Sequence, residues 1–208
     1  MNRLLLAATL LFPLVLQGPG SAALAADATP AAPISALDAG LMATMKAAAT
    51  KSFPARFAAL GPVVDHSFDL ATVLKLVVGL RWASLPADQQ TSLLAAFRAF
   101  TIASYVSNFK EDDGTHFVTL PDQRNVGSDV VVSTQIVPAS GDPTRIDYVM
   151  RQEADGWHAV DVLLEGTISQ AAVQRSDFRS LLDDNSASRL IASLRQKIND
   201  LSGGSVQG

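Results

Sequence analysis

The sequence of 208 residues contains no cysteine, which excludes disulfides, thiol catalysis and cysteine-ligated metals. It also has no excess of positive charge, since 16 Lys and Arg stand against 20 Asp and Glu. This balance argues against nucleic acid as a partner, because no basic stripe is available to bind phosphates. The three histidines, His66, His116 and His158, are far apart and lack a second ligand at metal spacing. We expect no metal and no cofactor.

Long apolar runs are rare, and the longest one lies at the N-terminus. A basic residue, Arg3, precedes an apolar stretch over 4–16, and Ala23-Leu24-Ala25 has the small-x-small pattern of a cleavage site. This order predicts a cleavable secretory signal peptide and hence export to the periplasm. The run is too short to span ~30 Å of hydrocarbon comfortably, so a membrane anchor is the weaker alternative. Cleavage removes one basic residue, which leaves 15 − 20 = −5 for a mature protein expected to be soluble.

The remaining length suits one globular domain. We predict a signal peptide over 1–25, a flexible leader over 26–33, a single domain over 34–201, and a disordered Gly- and Ser-rich tail over 202–208.

Four helical segments are predicted in the first half of the chain. Apolar residues recur at three- and four-residue spacing over 34–51, whereas a second helix over 53–65 is expected to be broken by Gly61-Pro62. Asp69 is placed to cap a third helix. Leu85-Pro86 opens a long fourth helix with a wide apolar stripe.

The apolar period changes from 3.6 to 2 in the second half, and short turns separate the alternating segments. Short hairpin links permit only antiparallel pairing. After Gly166 the pattern returns to helix. We therefore predict an α+β fold with helices packed on one face of a curved, four-stranded antiparallel meander. The strands are expected near 117–125, 130–137, 145–151 and 157–164.

Asp161 is the one carboxylate that we consider as a catalytic candidate, because it interrupts an apolar strand. Alternation places it on the same face as Trp157 and Leu163. A buried carboxyl there could have a raised pKa and act as a base. The favoured interpretation is a structural aspartate, hydrogen-bonded or paired with Arg175 or Arg179.

Four ordered features resemble the MlaC family of periplasmic lipid-binding proteins, also called toluene-tolerance or ABC-transporter auxiliary proteins. They are Phe68-Asp69-Leu70 with its helix, the Leu85-Pro86 helix containing Phe97, Phe100 and Tyr105, the segment 157–169 beginning Trp157-His158-Ala159-Val160-Asp161-Val162, and Arg175-Ser176-Asp177-Phe178 before a terminal helix with Leu190, Ile191 and Leu194. The stretch 173–179 looks most like the hopanoid-associated branch called HpnM. The sequence departs from the family pattern at Asp183-Asp184-Asn185-Ser186, where members of the family usually have a glycine in the turn.

The resemblance implies a carrier without enzymatic activity. It would bind one phospholipid or hopanoid-type lipid in an apolar cavity. It would shuttle this lipid between an inner-membrane ABC-type or other lipid transporter and an outer-membrane lipoprotein complex. The transport would maintain the lipid asymmetry of the outer membrane. The alternatives are an enzyme with Asp161 as base and Tyr148 as donor, and a cargo-free adaptor of a membrane complex. For every predicted wall residue, ordinary core packing is the other interpretation. The predicted lipid-binding residues are Leu74, Val77, Val78, Phe97, Tyr105, Phe109, Ile146, Tyr148, Met150, Val160, Val162, Leu164 and Ile168.

Overall fold

A computed structural model describes residues 29–207, so the predicted signal peptide and the first residues of the leader lie outside the described part. Within that range six α-helices and five strands follow one another in the predicted order. The bounds are α1 Ala32–Ala47, α2 Phe53–Ser67, α3 Leu70–Val78, a 3-10 turn Gly79–Ser84, α4 Ala87–Asn108, β1 His116–Val126, β2 Asp129–Val137, β3 Thr144–Glu153, β4 Gly156–Leu164, β5 Ile168–Ser169, α5 Gln170–Phe178, a 3-10 turn Arg179–Leu181, and α6 Ser188–Ser202.

The sheet is an antiparallel meander in the order β1-β2-β3-β4-β5, which confirms the predicted α+β class. The prediction of four strands is wrong by one, because β5 adds two residues to the edge. Its backbone pairs with the end of β4 through Leu163–Ser169 and Leu164–Ile168. So short a strand has too few residues to show alternation in a sequence.

Strand β4 contains a bulge that sequence alternation does not reveal. Val149 faces Asp161 across the β3–β4 pair while the next residue, Met150, faces Ala159, so Val160 is an extra residue. A bulge of this kind shifts the alternation of everything beyond it. The prediction that Asp161 and Trp157 share a face is therefore wrong.

The turn between α2 and α3 is attached to the sheet at this bulge. Phe68 forms a bridge with Ala159, and the backbone N–H of Asp69 donates to the Ala159 carbonyl at 3.1 Å. The Asp69 side chain then accepts from the backbone N–H of Thr72 at 2.9 Å, as expected of an N-cap. The start of α3 is thereby held beside the middle of β4.

Helix α2 continues through Pro62, although the sequence predicts a break there. Proline removes one helical hydrogen bond and ordinarily costs about 3 kcal/mol. Leu60 and Val64, on either side, are buried in the main core, and Gly61 lies against the Arg98 side chain of α4. Burial of both flanking side chains offsets the lost bond, so the helix stays continuous.

One core joins the helices to the inner face of the sheet. Leu37 and Leu41 of α1, Leu74 of α3 and Leu93 of α4 belong to it, together with Met150 of β3, and all five are at most 1% exposed. Leu190 and Leu194 of α6 close it from the far side of α4. The sheet therefore supplies one wall of a helix-covered interior, as predicted.

The outer face of β3 carries an ion pair in which the Asp147 carboxylate is buried and Arg145 is partly exposed. Arg145 donates to both oxygens of Asp147, at 2.8 and 3.1 Å, and also to Ser133 Oγ, while Arg124 approaches within 3.5 Å. Burial by itself would raise the pKa of Asp147, but these hydrogen bonds hold it below its usual range. The pair fixes β2 and β3 in register from the side opposite the core.

Both ends of the domain are more ordered than the composition indicates. Helix α1 begins at Ala32, inside the predicted leader, with Pro33 in its first turn, where the missing N–H costs nothing. At the other end Gly203 caps α6 in the left-handed conformation, and Ser202 Oγ accepts from the Val206 N–H at 3.1 Å. Local hydrogen bonds thus order much of the predicted tail.

Candidate functional site

A cavity of about 300 Å³ lies between α3, α4, α5 and strand β4. Its surface is more apolar than polar, and it is enclosed on several sides. The lining residues are Phe68, Leu70, Val73, Phe97, Phe100, Thr101, Ser104, Tyr105, Asn108, Asp161, Val162, Gln170, Ala171 and Gln174.

Helix α4 contributes the largest share of this lining along one face. Between its aromatic residues stand Thr101 and Ser104, whose hydroxyls donate to their own helix, to the carbonyls of Phe97 at 2.9 Å and Phe100 at 2.8 Å. The hydroxyls are therefore satisfied inside the helix, and small side chains remain where larger ones would fill the space. These two residues leave room for the cavity.

A row of aromatic rings extends from the cavity into the interior. Phe68 lies 6.2 Å from Tyr105 and 6.3 Å from Tyr148, measured between ring centroids. Tyr105 continues to Phe109 at 6.3 Å, and Phe109 to Phe117 at 5.4 Å. Such ring pairs add packing energy beyond their buried area. The rings of Phe68 and Tyr105 therefore form an aromatic side of the cavity, backed by the other rings of the row.

Asp38 of α1 introduces a carboxyl group beside this aromatic row. Its Oδ1 is buried and has no hydrogen-bond partner among residues 29–207. Burial raises the pKa of Asp38 to about 7. Burial also raises the pKa values of Tyr105 and Tyr148, and the nearby Asp38 charge adds to both shifts. The interior behind the cavity consequently favours neutral forms of all three groups.

Asp38 predicts a pH dependence of stability. The folded-state pKa lies above the unfolded value of 3.8, so the folded chain binds the extra proton. The free energy of unfolding should therefore fall as pH rises from 3.8 to about 7, and change little above that. The variant Asp38→Asn lacks this titration. From about pH 4 to about pH 8 its free energy of unfolding should therefore rise by roughly 1–2 kcal/mol relative to that of the unmodified protein, a value discounted for the partial exposure of the side chain. Urea titrations at both pH values measure this difference.

The control for that measurement is Asp142→Asn, because Asp142 is exposed in the loop between β2 and β3. Its difference from the unmodified protein should be the same at both pH values. A pH-independent difference for Asp38→Asn would show that the Asp38 carboxyl is not protonated in the folded chain near neutral pH.

Asp161 joins β4 to the beginning of α5. Its Oδ1 accepts from the backbone N–H groups of Val162 at 2.8 Å and Ala171 at 3.1 Å, and its Oδ2 accepts from Ser169 Oγ at 2.5 Å. Ser169 Oγ in turn accepts from the Ala172 N–H at 3.0 Å as the N-cap of α5. Both carboxylate oxygens thus hold the helix that forms one cavity wall, an arrangement that fits the structural interpretation. Its partners are Ser169 and backbone amides, not Arg175 or Arg179.

The structure brings only part of the predicted residue set to this cavity. Phe97, Tyr105 and Val162 line it directly. Phe109 packs on Tyr105 behind it. Ile168 lies on the exposed edge strand with 48% of its surface accessible. Leu74, Val77, Val78, Ile146, Tyr148 and Met150 belong to the core, and the two valines also border a separate groove beside Arg175. Leu164 packs partly against the core, and Val160 is the buried bulge residue.

Several lining residues were not predicted as binding residues. Ser104, Asn108, Gln170 and Gln174 are polar, and they interrupt otherwise apolar surfaces. The available signal was the placement of small or polar residues on the apolar stripe of α4, between Phe100 and Tyr105. A search for apolar faces alone passes over them.

Other features suit a ligand less well. Another depression, of about 760 Å³ between α4 and α6, is open and lined mainly by polar residues such as Gln89 and Arg195. Among residues 29–207 no three His, Cys, Asp or Glu side chains gather where they could hold a metal ion. Over the same range, no helix combines the length and apolar character needed to cross a membrane.

A family model, described as MlaC protein, matches residues 36–196, which is well over half of the sequence. The chain belongs to the MlaC family. The match includes the cavity-lining residues of α3, α4, β4 and α5, so the candidate site lies within the family's own domain. No curated protein gives a significant match to this MlaC-family chain.

A solved structure has the same fold. It is a phospholipid-binding protein from Ralstonia solanacearum, determined in complex with a phospholipid. Its TM-score is 0.71 at 18% identity, and the alignment covers 84% of this chain and 99% of that one. At this identity the likeness establishes the shared fold.

Proposed function

We propose that this protein is a periplasmic carrier that binds one phospholipid or hopanoid-type lipid and shuttles it between membrane complexes. The observation that carries the proposal is the apolar cavity of about 300 Å³ beneath α4 and α5. Membership of the MlaC family and the phospholipid bound by the Ralstonia solanacearum protein support it. A complex of the inner membrane, such as an ABC-type transporter, and an outer-membrane lipoprotein complex are the proposed donor and acceptor.

The physical requirement for such a carrier is shelter for hydrocarbon. A diacyl lipid exposes roughly 30 methylenes, worth ~0.8 kcal/mol each, so its transfer through water without a carrier costs about 25 kcal/mol. Phe97, Phe100 and Val162 offer an apolar surface for the tails. No catalytic group is needed for this task.

The cavity lies at the lower end of the ~300–1,000 Å³ that ligand pockets usually occupy. It accommodates part of one acyl chain as it stands. A two-tailed lipid requires the walls formed by α4 and α5 to move apart. We propose that Asn108, Gln170 and Gln174 at the edge of the cavity contact the polar part of the lipid.

The test is to isolate the protein from the periplasm under non-denaturing conditions and to measure its mass by native mass spectrometry. We expect a complex with one lipid, whose mass distinguishes a phospholipid from a hopanoid. After delipidation, the protein should take up a fluorescent phospholipid in a one-to-one ratio. Protein that is repeatedly empty and takes up neither lipid class would refute the carrier function.

A further inference from the structure

A basic surface with an apolar tip lies on the side of α5 opposite the cavity. We call it the Leu80 surface and define it by Leu80, Arg81, Arg175 and Arg179, which line a groove of about 500 Å³ together with Val77 and Val78. Leu80 is 92% exposed. Leu76 and Val173, on the adjoining helices α3 and α5, are also exposed large apolar residues, at 46% and 40%. A projecting apolar side chain such as Leu80 with neighbouring arginines is typical of a contact surface.

The backbone at Gly79 projects Leu80 outward. Gly79 has φ +67°, a conformation that favours glycine, and it ends α3 before the 3-10 turn. A Cβ at this position would lie 2.8 Å from Nη2 of Arg175. The Arg175 guanidinium therefore packs over the turn, next to the exposed leucine. The apolar and cationic groups are held together by local geometry.

The cations of this surface are mostly uncompensated. Arg81 donates to the Arg179 carbonyl at 3.4 Å and lies 3.7 Å from Asp184, whose side chain is 94% exposed. In the described range 29–207, neither Arg175 nor Arg179 has a carboxylate within 4.0 Å. Arg175 and Arg179 thus face solvent without a carboxylate partner, next to the partly exposed Arg81, on a chain whose formal net charge is −4. Charge complementarity calls for an anionic partner.

We propose that the Leu80 surface docks on an anionic lipid membrane. Leu80 would enter the boundary between headgroups and acyl chains while Arg175 and Arg179 contact lipid phosphates, the combination used by interfacial membrane-binding segments. A nearly fully exposed leucine beside cations suits a deformable lipid interface better than a fixed protein pocket, which would have to match one projecting side chain. The inference rests on the proposed carrier function, because a lipid carrier must meet a membrane to load or release its cargo.

Helix α5 connects the two sites. Its residues Ala171 and Gln174 line the cavity, whereas Ala172, Arg175 and Ser176 line the groove at the Leu80 surface. Docking by this surface would place the helix that forms the cavity wall directly against the bilayer.

The experiment measures flotation of the full mature chain with vesicles of phosphatidylethanolamine and phosphatidylglycerol, and with vesicles of phosphatidylcholine alone. We expect binding to the anionic vesicles only, and its loss at high salt, where charges are screened. Arg175→Gln combined with Arg179→Gln should weaken binding at least about tenfold, because each basic residue near an anionic surface contributes roughly 1 kcal/mol. Leu80→Gln should also weaken binding about tenfold through the lost apolar insertion.

Matched controls come from exposed residues elsewhere. Val126→Gln removes a 49%-exposed apolar side chain from the β1–β2 hairpin, and Lys110→Gln removes an exposed cation. Both should change vesicle binding less than about twofold, in keeping with scattered surface residues. Circular dichroism of all variants verifies folding.

Uptake of a fluorescent phospholipid delivered from detergent micelles separates this proposal from the carrier function. The Leu80 and arginine variants should retain uptake. No binding of the unmodified protein to anionic vesicles, or equal binding by the variants, overturns the docking proposal whatever the uptake. If uptake fails while the selective vesicle binding holds, the carrier function fails and the membrane-binding surface stands. A further outcome is that the substitutions leave vesicle binding unchanged but weaken capture by a membrane-complex protein. That result overturns docking on lipid in favour of an acidic protein partner.

Discussion

Replacing Ser104 with tryptophan is expected to weaken lipid binding at least about tenfold while leaving the fold intact. Ser104 lines the cavity at the middle of the α4 face, and an indole there occupies a large share of about 300 Å³. Excluding only two methylenes of an acyl chain costs about 1.6 kcal/mol, more than tenfold in affinity. The serine hydroxyl bonds only to the Phe100 carbonyl of its own helix, so its removal orphans no distant group.

The measurement is a titration of the delipidated protein with a fluorescent phospholipid, and the expected loss is at least about tenfold. Ala95→Trp is the matched control, since Ala95 is exposed on the same helix and does not line the cavity. Ser104→Ala should bind as the unmodified protein does, because it keeps the space open. Normal affinity in the folded Ser104→Trp variant would mean that the lipid occupies another part of the molecule.

Removal of the Asp161 carboxylate is expected to destabilise the domain by about 2–3 kcal/mol. Charge-assisted hydrogen bonds contribute roughly 1.5–3 kcal/mol each, and the partial burial of Asp161 reduces their sum. Asp161→Ala loses all three bonds, including those to Ser169 and Ala171 that hold the start of α5. For a domain of this size the midpoint of thermal unfolding should fall by roughly 5–10 °C. Differential scanning calorimetry measures the change.

Two further variants test the structural role of Asp161. Asp161→Asn keeps an oxygen that can accept from Val162 and Ala171, so it should lose only about 1 kcal/mol and should still take up lipid. Asp142→Ala removes an exposed carboxylate and should stay within about 0.5 kcal/mol of the unmodified protein. An unchanged unfolding temperature in Asp161→Ala would show that these hydrogen bonds do not stabilise α5.

Local chemistry made parts of the fold predictable. Asp69 caps α3 as its position before an apolar helix indicates, and the short links between alternating segments require an antiparallel meander. Pro62 shows where local rules fail, since the burial of Leu60 and Val64 against other elements decides that α2 continues. Helix propensity describes one segment at a time, and packing against other elements can override it.

The candidate site was less predictable than the fold. Phe97 and Tyr105 could be assigned to an inward face from helical spacing, and both line the cavity. Val77 and Val78 have the same apolar signature, yet they are packed in the core beside the groove at Arg175 and do not line the cavity. The bulge at Val160 also changed which β4 residues face inward. An extra residue in a ladder depends on the partner strand and leaves no mark in alternation.

The sequence by itself determined the order of helices and strands, the antiparallel class of the sheet and the faces that are apolar. The tertiary structure alone decided where those faces meet closely and where they stay apart. The spacing of side chains along the chain specifies which face of a helix or strand they occupy, whereas an empty volume depends on the distance between the packed elements. Here that distance is set by contacts far apart in sequence, such as the Phe68–Ala159 bridge and the Asp161 bonds to α5.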